Sequence, residues 1–390
     1  MPEPPRLKSH QRLNRPPYDC IALLLQGGGA LGAYQAGVYQ ALFEAELDPD
    51  WVAGISIGAI NAAIIAGNPR QERIAKLRKF WECVSANPVW NYVGDQGAPL
   101  LKGTDARLYY NQLSASQTMM AGVPGFFAPR FPPPLMQPRG SLEATSYYDT
   151  SPLRSTLLNL VDFDRINSGE MRFSVGAVNV TSGNFVYFDT ESHEIRPEHV
   201  MASGALPPGF SAVEIEGEHY WDGGLVSNTP LQWVLQFGPR QDTLAFEVDL
   251  WSARGTFPQS MAEVATRQKE VVYSSRTREN TDRFVMSQRI RHALAALLPL
   301  LPPEARERPE HKLLEELADH KVYDIVHLIY RARQYEGDSK DYEFSRLSME
   351  EHWLTGYQDT VRTLRHPRAL ARPTNHAGFA TFDIANDGDE

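Results

Sequence analysis

The sequence predicts an α/β fold, a sheet with crossover helices, that continues into a mainly helical C-terminal extension. Three observations carry this reading. From Tyr18 to about Leu250, short apolar runs alternate with segments of helical spacing. Two of those runs pass directly into helices through glycine-containing turns. After Trp251 the composition turns charged and helical. With 390 residues the chain can hold one large α/β domain with an appendage, or two domains.

The elements follow in order. Residues 1–17 are Pro-rich and basic without an apolar core, which suggests a mobile N-terminal arm. The first apolar run, Ile21 to Leu25, is too short for a signal peptide or a membrane span, so the expected compartment is the cytoplasm. Strands are expected at Ala22–Leu25, Trp51–Ile55, Arg172–Asn179, Asn184–Asp189 and Leu244–Asp249. Helices are expected at Leu31–Glu46, at Ile57–Ala66 before Gly67 and Pro69, and at Arg70–Ser85. Together these make residues 18–250 one α/β domain.

Within it, residues 92–150 show neither period and form an irregular insertion. Loops of that length are functional or disordered. Met119, Met120, Phe126, Phe127 and Phe131 suit a lid, a membrane contact, a subunit interface or packing onto their own domain. Residues 251–370 form the C-terminal region. Met261 to Leu298 reads as one long helix or two, and "YDIVHLIYRA" reads as a late strand at a sheet edge. A capping box at Ser348 and Glu351 starts a helix that ends near His366, before Pro367. Residues 371–390 are a polar tail.

Composition excludes some functions. Hydrophobic residues at 42% and charged residues at 22% fit an ordinary globular protein. A net charge of −10 gives no reason to expect nucleic acid as a partner. Two cysteines, Cys20 and Cys83, cannot build a disulfide framework or a Cys-based metal site.

The chemistry lies in three short blocks. Gly27-Gly28-Gly29-Ala30-Leu31-Gly32 matches G-x-G-x-x-G at a strand end and a helix start, as a dinucleotide-binding loop would. Asp50 lies at a suitable distance along the chain for that reading. In that fold, however, the acid sits at the carboxyl end of the second strand, and Asp50 precedes Trp51–Ile55. The alternative is a set of backbone N–H groups able to hold an oxyanion. The second block, Gly54-Ile55-Ser56-Ile57-Gly58, is G-x-S-x-G between an apolar strand and the helix former run "AINAAIIA". A serine on that turn projects its hydroxyl as a nucleophile. No histidine has a recognisable context for its base. The third block, "HYWDGGLVSNTP", offers Asp222 followed by Gly223 and Gly224. By itself it could be an Asp-Gly turn.

In this order the three blocks resemble the patatin-like phospholipase family over roughly Tyr18 to Leu250. "MASGALPPGFSAVEIEGEHYWDGG" is similar to the family's stretch leading into its Asp-Gly block. The resemblance implies a three-layer α/β/α sheet and a Ser–Asp dyad, with Ser56 as nucleophile and Asp222 as base. It implies an oxyanion hole from Gly27, Gly28 and Gly29, with the N–H of Ile57, supported by Gly32, Gly54, Gly58, Gly223 and Gly224. No metal and no cofactor are needed. An ordinary aspartate is a weak base, so Asp222 should be buried, with Tyr220 and Trp221 available to desolvate it. One departure concerns substrate: the family often has Arg or Lys where this chain has Leu31.

The expected function is hydrolysis of lipid carboxylic esters, phospholipase A or lysophospholipase-like. The alternatives are a carboxylesterase or thioesterase for other acyl or hydroxyacyl esters and, in another class, a nucleotide-binding oxidoreductase. Expected partners are an acyl ester and, through residues 119–136, the surface of a membrane. The C-terminal helices leave an oligomer open.

Overall fold

The computed structural model describes residues 7–86, 103–237, 240–274, 277–333, 335–375 and 377–387. The expectations that fall on residues 1–6, 92–102 and 388–390 lie outside the described residues.

The centre is a nine-stranded sheet. Its strands are β1 (Cys20–Leu25), β2 (Trp51–Gly54), β3 (Arg172–Asn179), β4 (Phe185–Asp189), β5 (Val213–Ile215), β6 (Glu218–Asp222), β7 (Thr243–Asp249), β8 (Tyr323–Ile329) and β9 (Phe379–Asp383). The order is β9-β8-β7-β1-β2-β3-β6-β5, with β4 paired to β3. From β9 to β3 all neighbours are parallel. Strands β4, β6 and β5 add an antiparallel margin.

The strands alternate between two buried faces, as period-two side chains must. Ile21, Leu23 and Leu25 join the core beneath α1 (Ala33–Glu44), α2 (Ile57–Ala66) and α3 (Arg73–Val84). Cys20, Ala22 and Leu24 join Trp51, Ala245 and Ile325 on the other face, with Leu231, Val234 and Phe284 above them. Helices on both faces of one sheet give the three layers. No helix among the described residues is long and apolar enough to cross a membrane.

Four expectations are corrected. Residues 7–17 are not a free arm: Arg12 and Leu13 donate their N–H groups to Glu44 and Ala45, and buried His10 pairs with Glu44 at 3.0 Å. The insertion is not irregular throughout, because Thr104–Ala121 is a helix, α4. Its buried stripe of Arg107, Tyr110, Asn111, Ser114, Ala115 and Thr118 has helical spacing but is largely polar, so apolar periodicity does not reveal it. Strand β8 is interior, not an edge, since β9 from the expected polar tail pairs outside it. The last long helix, Arg346–Leu364, is capped by Ser345, whose hydroxyl accepts from the N–H of Ser348 at 3.2 Å. Glu351, expected in the capping box, instead pairs with Arg107 at 3.0 Å.

The C-terminal region is mainly helical and also completes the sheet. Met261–Ser274 and Thr277–Leu297 are two helices, and Arg346–Leu364 lies along α1.

Candidate active site

Strand β2 stops at Gly54, and the chain turns sharply into α2. Ile55 donates its N–H to Leu25 at 3.0 Å. Ser56 has φ 55° and ψ −122°, a sparsely populated conformation for a residue with a side chain. The turn is held from outside: the Ser56 N–H donates to both the carbonyl and the hydroxyl oxygen of Ser203, each at 3.1 Å. A methyl at Gly54 would overlap the Gly58 carbonyl, and one at Gly58 would overlap the Leu25 carbonyl. The glycines on either side of the serine are therefore steric requirements of the turn.

Asp222 reaches this turn through register. Along β3, β2 pairs with Arg172 to Val175, and β6 pairs with Ala177 to Asn179. Strand β4 occupies the opposite edge of β3 from Ser174 to Val178. Strand β6 must then take the edge that β2 vacates on turning toward Ser56. Gly54 lies opposite Val175, and Asp222 opposite Ala177. Two residues distant in sequence are thus brought to neighbouring steps of one ladder.

The Asp222 carboxylate is buried and accepts the Gly224 N–H at 2.7 Å. Burial pushes its pKa up to about 7, while hydrogen bonds from the Ser56 side chain and the Gly224 amide pull it back. Tyr220 and Trp221, expected to desolvate it, do not line the cavity; Tyr220 packs against Phe188 at 5.2 Å between ring centroids.

The glycine loop divides its amides. Gly27, expected as an oxyanion donor, gives its N–H to the Asn228 carbonyl at 3.2 Å. The N–H groups of Gly28, Gly29 and Ile57 have no partner among the described residues, and all three residues line the cavity beside Ser56. The loop carbonyls are engaged elsewhere. Gln35 donates to Gln26 at 2.7 Å, and Asn228 and Trp251 each donate to Gly27 at 3.0 Å. Gly29 has φ +56°, and a methyl there would overlap the Asp341 carbonyl, which accepts the Ala30 N–H at 2.8 Å. Gly32 leaves room for Ile57, and Gly223 for the Gly176 carbonyl. Asp50 lies at the amino end of β2, where it accepts the Ile21 N–H at 2.7 Å and pairs with Arg15. It is at the wrong end of its strand to reach a dinucleotide ribose.

Ser56 and Asp222 open into a cavity of about 460 Å³. Phe126, Phe127, Tyr148, Phe210 and Phe344 form one aromatic wall, with ring centroids 4.9–6.0 Å apart in successive pairs. Tyr273, Asp341, Tyr342 and Phe344 bring the C-terminal region into the lining. No Lys, Arg or His lies among the described lining residues. The nearby cations are paired behind the wall, Lys269 with Asp341 at 2.9 Å and Lys340 with Glu270 at 2.7 Å. Asn228, which bridges the glycine loop and the Asp-Gly turn, stands in the "SNTP" stretch just past Gly224 and could have been suspected there.

A family model described as Patatin-like phospholipase matches residues 23–234, more than half of the chain. The chain belongs to the patatin-like phospholipase family. A second model, described as Patatin phospholipase, matches residues 271–376, so the C-terminal region also has patatin relatives. Patatin-like phospholipase domain-containing protein 7 of Rattus norvegicus is 40% identical over 63 residues, covering 16% of this chain and 5% of that protein. Triacylglycerol lipase SDP1L of Arabidopsis thaliana is 38% identical over 65 residues, covering 17% of this chain and 8% of that protein. These matches thus span less than a tenth of either relative. The structure of VipD from Legionella pneumophila overlays with a TM-score of 0.36 at 15% identity, over 93% of this chain and 71% of that one.

Proposed function

We propose that this patatin-like protein is a serine acyl hydrolase for lipid esters, with Ser56 as nucleophile and Asp222 as its base. The observation that carries the reading is the juxtaposition of a strained serine, a buried carboxylate within hydrogen-bonding reach, and unpartnered amides at one cavity. Ionised Asp222 takes the Ser56 proton as the hydroxyl attacks the ester carbonyl. The Gly28, Gly29 and Ile57 amides receive the oxyanion, donors fixed in advance of the charge. The alcohol leaves with the proton from Asp222, and Asp222 then activates the water that cleaves the acyl-enzyme. No step needs a histidine, consistent with a lining that has none among the described residues.

The lining also bears on substrate. With Leu31 buried and no cation among the described lining residues, the cavity favours an uncharged acyl ester over one with an anionic head group. Delivery would be from a lipid surface. The loop from Arg130 to Tyr147 leaves the cavity wall at Phe127 and returns at Tyr148, carrying Phe131, Leu135 and Met136 at 94%, 100% and 78% exposure.

The test is hydrolysis over a panel of neutral glycerides, phospholipids, thioesters and soluble short-chain esters. Ser56→Ala and Asp222→Asn should each lower turnover of every cleaved ester by roughly 10⁴-fold. Neutral esters should lead the panel. Preference for anionic phospholipids would reject the substrate reading, and full activity in either variant would reject the dyad.

A further inference from the structure

The carboxyl ends of β7 and β8 carry a second polar cluster, apart from the cavity. Glu247 and Asp249 are two residues apart on β7 and share one face of the sheet. His327 on β8 is the register partner of Glu247. A ligand atom from each of the three lies within 4.8 Å of the others. Glu247 is 0% exposed and sits between Phe246 and Val248 in a fully buried strand, a costly place for a carboxylate oxygen without a partner.

Its protein partners account for one carboxylate oxygen and not the other. Glu247 Oε1 has no hydrogen-bond partner. Glu247 Oε2 is ion-paired with His327 Nδ1 at 3.0 Å, so Oε1 is the oxygen left without a partner. A buried carboxylate oxygen without a partner, where two carboxylates and an imidazole converge, is placed as a ligand of a common centre. Adjacent ligands at about 2.1 Å from a six-coordinate ion lie roughly 3.0 Å apart, and opposite ones about 4.2 Å.

We propose that Glu247, Asp249 and His327 bind a divalent first-row cation, Zn²⁺ or Mn²⁺. Two carboxylates and an imidazole suit these ions better than Ca²⁺ or Mg²⁺, which favour oxygen alone. The outer partners fit as well: Thr229 donates to Asp249 at 3.5 Å and accepts from Gln26 at 2.9 Å. Gln26 in turn accepts the N–H groups of Leu250 and Trp251 at 2.7 and 3.0 Å, just ahead of the glycine loop. The ion would fasten β7 to β8 and stiffen the frame behind that loop. None of its three ligands lines the catalytic cavity, so the role is structural and independent of the proposed hydrolysis.

The competing arrangement is a metal-free cluster in which His327 is a cation. Its carboxylate neighbours Glu247, Asp249 and Asp383 favour that charge, and Arg331 is already paired with Asp383 at 3.3 Å. The experiment titrates ZnCl₂ or MnCl₂ into the chelator-treated full-length chain by calorimetry, with bound metal counted by elemental mass spectrometry. About one ion per chain and a raised melting temperature are expected, and Glu247→Gln should weaken binding by about 100-fold or more. Co²⁺ should give a visible spectrum of a mixed N/O site that the variant lacks. The metal-free cluster is the answer, and the proposal is overturned, if the wild-type chain binds no stoichiometric ion. Unchanged affinity in Glu247→Gln would overturn it equally. Should that variant not fold, His327→Gln gives the same comparison.

Discussion

At the scale of single residues, Asp222 is where stability and chemistry oppose each other. A folded pKa of about 7 means that the native protein keeps a proton which the unfolded chain has released between about pH 4 and pH 7. Stability therefore falls as pH rises through that window and levels off above it. Asp222→Asn cannot ionise, so it should be more stable than the parent at pH 8 by on the order of 2–4 kcal/mol, and equal to it near pH 4. Urea titrations at the two pH values measure this; a destabilised variant at pH 8 would mean the carboxylate is not desolvated. Catalysis runs the other way. The proposed base must be ionised, so kcat/KM should climb with an apparent pKa near 7, and a profile flat down to pH 5 would contradict the assignment. The turn at Ser56 was legible because G-x-S-x-G states its own steric conditions. The Gly27 misassignment was not avoidable from sequence, because the acceptor that takes its amide, Asn228, lies about 200 residues away along the chain.

At the scale of elements, α1 packs closely against the helix Arg346–Leu364. A methyl at Gly37 would overlap the Trp353 carbonyl, and one at Gly356 would overlap the Tyr34 carbonyl, so each helix seats its glycine against the other's backbone. Trp353 donates to Gln40 at 2.7 Å, and Tyr34 donates to Asp359 at 3.1 Å across the same contact. Gly37→Ala and Gly356→Ala should each destabilise the protein by about 2 kcal/mol or more, although alanine is the better helix former. Chemical denaturation checks the sign; stabilisation by either change would show that the helices do not approach so closely. The longer apolar strands and the helices α1 and α2 were readable from periodicity and glycine punctuation. Helix α4 was not, because its buried side is fastened by ion pairs and hydroxyls, Arg107 to Glu351 and Ser114 to Glu343, instead of by apolar area. Strand β9 was hidden by its short length and polar surroundings.

At the scale of the whole molecule, the C-terminal region belongs to the proposed site. It supplies β8 and β9 to the sheet, a helix over α1, the carbonyl that fixes the glycine loop, and part of the cavity wall. A chain ending at Leu250 would expose the β7 edge and the apolar face of α1, and it should be insoluble or lack a cooperative unfolding transition. A soluble, cooperatively folding fragment would count against that dependence. The exposed loop at the cavity mouth gives a second expectation at this scale. Phe131→Ser combined with Leu135→Ser should reduce turnover of aggregated lipid several-fold more than turnover of a soluble short-chain ester, and equal losses would remove the surface-docking role. The most direct measurement of the central claim is covalent labelling with a fluorophosphonate probe, followed by peptide mass spectrometry. Modification of Ser56 in the parent chain, and its near loss in Asp222→Asn, is the predicted result. Labelling at another serine, or undiminished labelling of Ser56 without Asp222, would contradict the account.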